Sequence, residues 1–209
     1  MVALLGEEQL RFCYQQLAKA MKVQRNGKAA ALTEQELEAL LAAAPSAKHH
    51  CLWMVQRWSA ARISEALALT WGDVSGKTIT FRRSTTKTKT TRQLLQSPAL
   101  ADELASYREH WEKEHGHSPK PSEALFPAAG STTSTMTRQA ADKAFRAACK
   151  AVGIEGASLH SFRRTMAQSL VAKGVPLPVV QKATGHKSLS SLGEYLVASQ
   201  EDVLAAMLA

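Results

Sequence analysis

At 209 residues, with 45% hydrophobic and 21% charged positions, the chain has an ordinary globular composition and can bury one substantial core. Lysine and arginine number 26 against 18 acidic residues, for a net charge of +8 and a pI near 9.6, a balance that favours a polyanionic partner. No apolar run reaches eighteen residues, and the start MVALLGEEQLRF lacks the basic head and apolar centre of a secretory signal. Neither a membrane span nor export is therefore expected, and the expected location is cytoplasmic. The cysteines Cys13, Cys51 and Cys149 are odd in number and unpaired in spacing, as in a reducing compartment. His110, His115 and His117 lie in a polar stretch without a cysteine, which marks a solvated helix end and no metal site.

Glu7–Met21 has a helical stripe of Leu10, Tyr14, Leu17 and Met21, and KVQRNGKAA then reads as a basic linker. Residues 1–32 thus form an N-terminal helix and linker ahead of a main unit over 33–209. Thr33 opens a capping box with Glu36, for a helix through Leu37, Leu40 and Leu41 that stops before Pro45. Ala47–Ser59, rich in Leu52, Trp53, Val55 and Trp58, predicts a core helix. Arg62 follows in a turn among apolar residues, just before a helix that starts near Ser64 and Glu65. An arginine there either pairs locally or holds an anion.

Gly76–Arg82 alternates and is β-branched, which predicts a strand. The polar turn STTKTKTT carries Lys87 and Lys89, and Thr91–Gln96 returns as the second strand of a hairpin. Pro98–Glu114 is a long helix with Leu100, Leu104, Tyr107 and Trp111 on one stripe. Met136–Val152 is another, with a basic face of Arg138, Lys143, Arg146 and Lys150. No internal repeat or low-complexity segment appears.

Ser158–Leu196 is the densest in chemistry. His160 and Arg163 are three apart and share a helix face within Leu159–Ala172, which Gly174 ends. Pro178–Ala183 is a short helix, His186 follows Gly185, and a last short helix from about Ser188 carries Tyr195. Arginine presents a donor fork that fits phosphate oxygens, and histidine moves protons near neutral pH. A tyrosine becomes a nucleophile where cations favour its phenolate. Together they suggest attack by tyrosine on a phosphodiester.

Arg62, Lys87, His160, Arg163, His186 and Tyr195 stand in this order, with flanks S-A-A-R-I-S-E-A-L-A-L-T-W-G-D-V, H-x-x-R and G-H. The pattern, spanning about residues 33–198, resembles the tyrosine recombinase (phage integrase) family. Ala124–Pro127 also matches the short L-F-P piece common there. Three positions depart. Ala60 stands where glycine is usual and costs turn freedom, because alanine resists positive φ; Phe162 replaces leucine, and Arg164 a histidine.

The resemblance implies an α+β, mainly α-helical catalytic domain with a small antiparallel hairpin. It implies a site-specific DNA recombinase that works through a 3′-phosphotyrosyl link, with no metal or other cofactor. Tyr195 would be the nucleophile, Arg62 and Arg163 the phosphate clamp, and His160 and His186 its hydrogen-bonding partners. Lys87 would protonate the leaving oxygen, with Lys89 the alternative, and Glu65 would buttress the site. Arg82, Arg83, Lys89, Arg92, Arg138, Arg164 and Lys187 are the expected DNA contacts. The partner would be double-stranded DNA, bound by a monomer that assembles as a tetramer on paired sites. The tail EDVLAAMLA, amphipathic through Val203, Leu204 and Met207, would pack on a neighbouring subunit or on its own core. With some thirty residues before Thr33, the chain is either a short invertase-like recombinase or a catalytic fragment. A type IB topoisomerase-like enzyme and a silent DNA-binding module are the competing functions.

Overall fold

The computed structural model describes residues 29–87, 89–194 and 207. The helix expected over Glu7–Met21, the start of the linker, Tyr195 and nearly all of the tail lie outside the described residues. Eight α-helices and one two-stranded antiparallel sheet are described. None of those helices is long and apolar enough to cross a membrane.

The elements arise where local chemistry dictates. In α1 (Glu34–Ala42), the Thr33 hydroxyl accepts from the Glu36 N–H at 3.2 Å and the Glu36 carboxylate accepts from the Thr33 N–H at 2.7 Å. Helix α2 (Ala47–Ser59) ends on Ala60, and α3 (Ile63–Leu67) follows at once. A 3₁₀ turn (Trp71–Val74) leads into β1 (Thr78–Phe81), which pairs with β2 (Arg92–Leu95) in the register Thr78↔Leu95 to Phe81↔Arg92. Helix α4 (Pro98–His115) has Ser97 at its N-cap and Pro98 in its first turn. It ends on Gly116, and α5 (Arg138–Ala151) is capped by Thr137. Helices α6 (Ser161–Ala172), α7 (Leu177–Thr184) and α8 (Leu189–Gly193) complete the described chain. Each expected element inside the described residues is present, displaced by two residues or fewer at its ends.

Two apolar clusters hold these pieces. The larger centres on α2, the long helix that packs against α4 and α6. Trp53 meets Phe145 edge-on at 5.8 Å, Phe145 meets Phe162 at 5.8 Å, and Trp71 stacks on Tyr107 at 5.8 Å. Trp53, Tyr107, Trp111, Phe126, Phe145 and Phe162 are all buried, each worth about 2 kcal/mol over leaving it exposed. The smaller cluster has three buried members, Ala167, Val180 and Leu192, from α6, α7 and α8. Helix α6 belongs to both, with Phe162 in the larger and Ala167 in the smaller. Arg163 therefore sits where the two layers meet.

Candidate active site

The turn between α2 and α3 carries the first arginine. Ala60 adopts a left-handed conformation (φ 50°, ψ 26°) and is fully buried. The expected cost of alanine at this turn is thus real, on the order of 1–2 kcal/mol. Arg62 occupies the N-cap of α3. Its N–H donates to Glu65 Oε2 at 3.0 Å and its Nη1 to Glu65 Oε1 at 2.9 Å. Glu65 is 3% exposed. Burial alone would raise its carboxyl, but the Arg62 N–H, the Arg62 guanidinium and Arg92 outweigh that and hold it below the usual carboxylate range.

Arg163, on the first turn of α6, is 1% exposed. Its Nη1 donates to the Ala60 carbonyl at 2.8 Å, which ties it to the turn before Arg62. Its Nε donates to His186 Nε2 at 3.3 Å. His186 is buried just after Gly185, the left-handed C-cap of α7. The Thr184 hydroxyl spends its single proton on the Val180 carbonyl at 2.6 Å, so its oxygen accepts from His186 Nδ1 at 2.7 Å. That assigns the proton to Nδ1 and leaves Nε2 to accept from Arg163. Burial first, then the cations Arg163, Arg62 and Arg92, hold His186 down to about 4. A protonated His186 would turn a second N–H against the Arg163 donor.

Arg92, expected among the DNA contacts, is placed differently. Its side chain is 13% exposed, and Nη1 donates to the Ser59 carbonyl at 2.8 Å and the Ala183 carbonyl at 2.7 Å. Its Nη2 lies 4.0 Å from Glu65 Oε2, and its Cζ lies 4.5 Å from the Phe81 ring centre. Burial, partly opposed by Glu65, brings Arg92 down to about 10. The sequence held a signal for this: Arg92 alternates with Leu94 on the strand face opposite Gln93 and Leu95, and it pairs with the buried Phe81.

A cleft of about 840 Å³ opens between β2 and α7, with Glu65, Arg92 and His186 among its lining residues. The turn bearing the exposed Lys87 and Lys89 is flanked by Thr86 and Thr90, which also line this cleft. Lys89 has a positive φ of 55°. Lys187 is exposed on the cleft wall. His160 is the exposed N-cap of α6, three residues before Arg163. Arg82 is half-committed to structure, with Nη2 donating to the Ala68 carbonyl at 2.9 Å and pairing with Asp73 at 3.0 Å. Arg83 and Arg138 are exposed, and Arg164 is partly buried. Thr184, which sets the His186 tautomer, was not singled out in sequence, because hydroxyls ending short helices are common.

Three segments far apart in sequence thus bring Arg62, Arg163 and His186 to one cationic spot beside a buried carboxylate. The phage integrase family matches the chain over residues 30–202. The chain belongs to that family. A Sinorhizobium fredii protein named as an integrase/recombinase is 28% identical over 169 residues, covering 79% of this chain and 51% of the relative. An Escherichia coli protein named resolvase is 27% identical, covering 81% of this chain and 74% of its own. The chain therefore spans about half the length of the first of these curated relatives.

Solved structures of recombinases and integrases share the fold. The XerA recombinase has a TM-score of 0.71 at 19% identity, over 88% of this chain and 65% of its own. The XerH site-specific recombinase, in a post-cleavage complex with a palindromic difH substrate, has 0.69 at 22% identity, over 88% and 54%. The catalytic domain of bacteriophage HP1 integrase has 0.59 at 23% identity, over 85% of this integrase-family chain and 95% of its own.

Proposed function

We propose that this chain is the catalytic unit of a site-specific DNA recombinase, with residues 33–209 performing the chemistry. Membership of the phage integrase family supports the class of reaction. The observation that carries the reading is the Arg163 guanidinium, buried and bonded both to the turn before Arg62 and to His186. Burying a guanidinium is costly unless it is bonded, and these bonds fix its position beside the Arg62 turn.

In the proposed reaction, Tyr195 Oη attacks the scissile phosphorus in line. The new P–O bond is to tyrosine, and the bond to the 5′-oxygen breaks. Arg62 and Arg163 offset the charge that grows on the non-bridging oxygens, and His186 orients Arg163. His160 accepts the tyrosine proton, and Lys87 or Lys89 gives one to the leaving 5′-oxygen. The covalent link conserves the phosphodiester energy, so attack by another strand's 5′-hydroxyl completes an exchange. Arg163 is 1% exposed, so a phosphate reaches it only once the groups over it move aside. The substrate would be double-stranded DNA, and the working assembly a tetramer on paired sites.

A nicked suicide duplex tests the chemistry. Wild type is expected to form a covalent adduct and Tyr195→Phe none, while Arg163→Ala binds DNA without cleaving it. Two differently marked duplexes separate strand exchange from mere relaxation. DNA binding with no adduct from wild type on any candidate junction would reduce the chain to a silent binding module.

A further inference from the structure

We propose that Arg92 is a positioning residue: its buried guanidinium docks the small α6–α8 layer, which carries His186, onto the main body, which carries Arg62 and the hairpin lysines. The chemistry it serves is the recombinase reaction proposed above; the geometry is independent of that reading.

Phe162 anchors α6 in the larger core, but among the described residues the cluster that joins α7 and α8 to α6 has three buried members, Ala167, Val180 and Leu192. Polar ties add to that packing in fixing the position of α7. Arg92 Nη1 carries two hydrogens and donates both, to Ser59 O at 2.8 Å and to Ala183 O at 2.7 Å. Both acceptors lie in the last turn of a helix, α2 and α7, where carbonyls lack a partner within their own helix and the dipole favours a cation. One side chain thus joins the C-terminal ends of two helices in different layers. The Phe81 ring lies 4.5 Å from Cζ, and Glu65 approaches Nη2 at 4.0 Å.

Gly185, the residue before His186, completes the fit. A Cβ there would stand 3.1 Å from Arg92 Cδ and 3.2 Å from Nε, and its φ is +68°. Arg92 therefore lies flat against the backbone that sets the direction of His186. A lysine would keep the charge but cannot bridge both carbonyls and stack on Phe81 with one planar group. Removing the cation would also relieve one of the charges that oppose His186 protonation.

The test uses Arg92→Lys, Arg92→Met and Gly185→Ala in the full chain, each checked for folding by urea unfolding. Single-turnover cleavage of a nicked duplex on which wild type forms its adduct is expected to slow about 100-fold in all three. Duplex affinity should stay within about 3-fold, with an unchanged salt slope. By NMR without DNA, His186 should titrate at higher pH in Arg92→Met and stay low in Arg92→Lys. Wild-type cleavage in Arg92→Met, or an unmoved His186 titration, overturns the proposal. A defect in binding with a salt slope lower by about 1 also overturns it, since Arg92 would then be a phosphate contact. Should Arg92→Met fail to fold, wild-type cleavage in both Arg92→Lys and Gly185→Ala is the overturning result. If wild type forms no adduct on any duplex, the recombinase reading fails, and the His186 titration alone decides the placement of Arg92.

Discussion

Acidification to pH 4.5 is expected to remove roughly 2–3 kcal/mol of stability through His186. Burial and three guanidinium groups hold its folded pKa at about 4, against 6.5 in an unfolded chain. The unfolded state therefore takes up the proton first. The contribution of His186 is complete above pH 6.5 and is lost progressively as pH falls toward 4. Other groups titrate nearby, so the comparison is wild type against His186→Gln, which lacks this ionisation. Urea unfolding at a series of pH values should show wild type losing roughly 2–3 kcal/mol relative to the variant from pH 7 to pH 4.5. NMR of the imidazole should show a neutral ring protonated at Nδ1, because the Thr184 oxygen can only accept there. Parallel stability curves, a titration near 6.5, or a proton on Nε2 would refute the electrostatic account of the cage.

Glu65→Gln should cost about 3 kcal/mol in urea unfolding, since it removes the buried carboxylate shared by Arg62 and Arg92. Ala60→Val should cost more than about 2 kcal/mol by the same measurement, because a β-branched residue is strained at φ 50° in a filled site. Ala60→Gly trades relief of that strain against a lost buried methyl and should stay within about 1 kcal/mol of wild type. Lys87→Ala and Lys89→Ala should each leave stability within about 0.5 kcal/mol, as both side chains are exposed. The lysine that supplies the leaving-group proton is the one whose alanine variant regains cleavage on a substrate with sulfur at the bridging 5′ position, since a thiolate leaves unprotonated.

The sequence by itself determined most of the scaffold. Helix ends were legible because capping is local: Thr33 with Glu36, Pro98 in the first turn of α4, and Gly185 after α7 act within a turn of themselves. The hairpin was legible from alternation, and Arg62, Arg163 and His186 from their order and flanks. Tertiary structure alone decided which charges share one environment. Arg92 reads in sequence as one more DNA contact, yet the Ser59 and Ala183 carbonyls to which it donates are 33 and 91 residues away. The bond from Arg163 to the Ala60 carbonyl likewise joins residues 103 apart, brought together only when the two layers dock. Periodicity reports which face of an element is apolar; it does not report what that face meets.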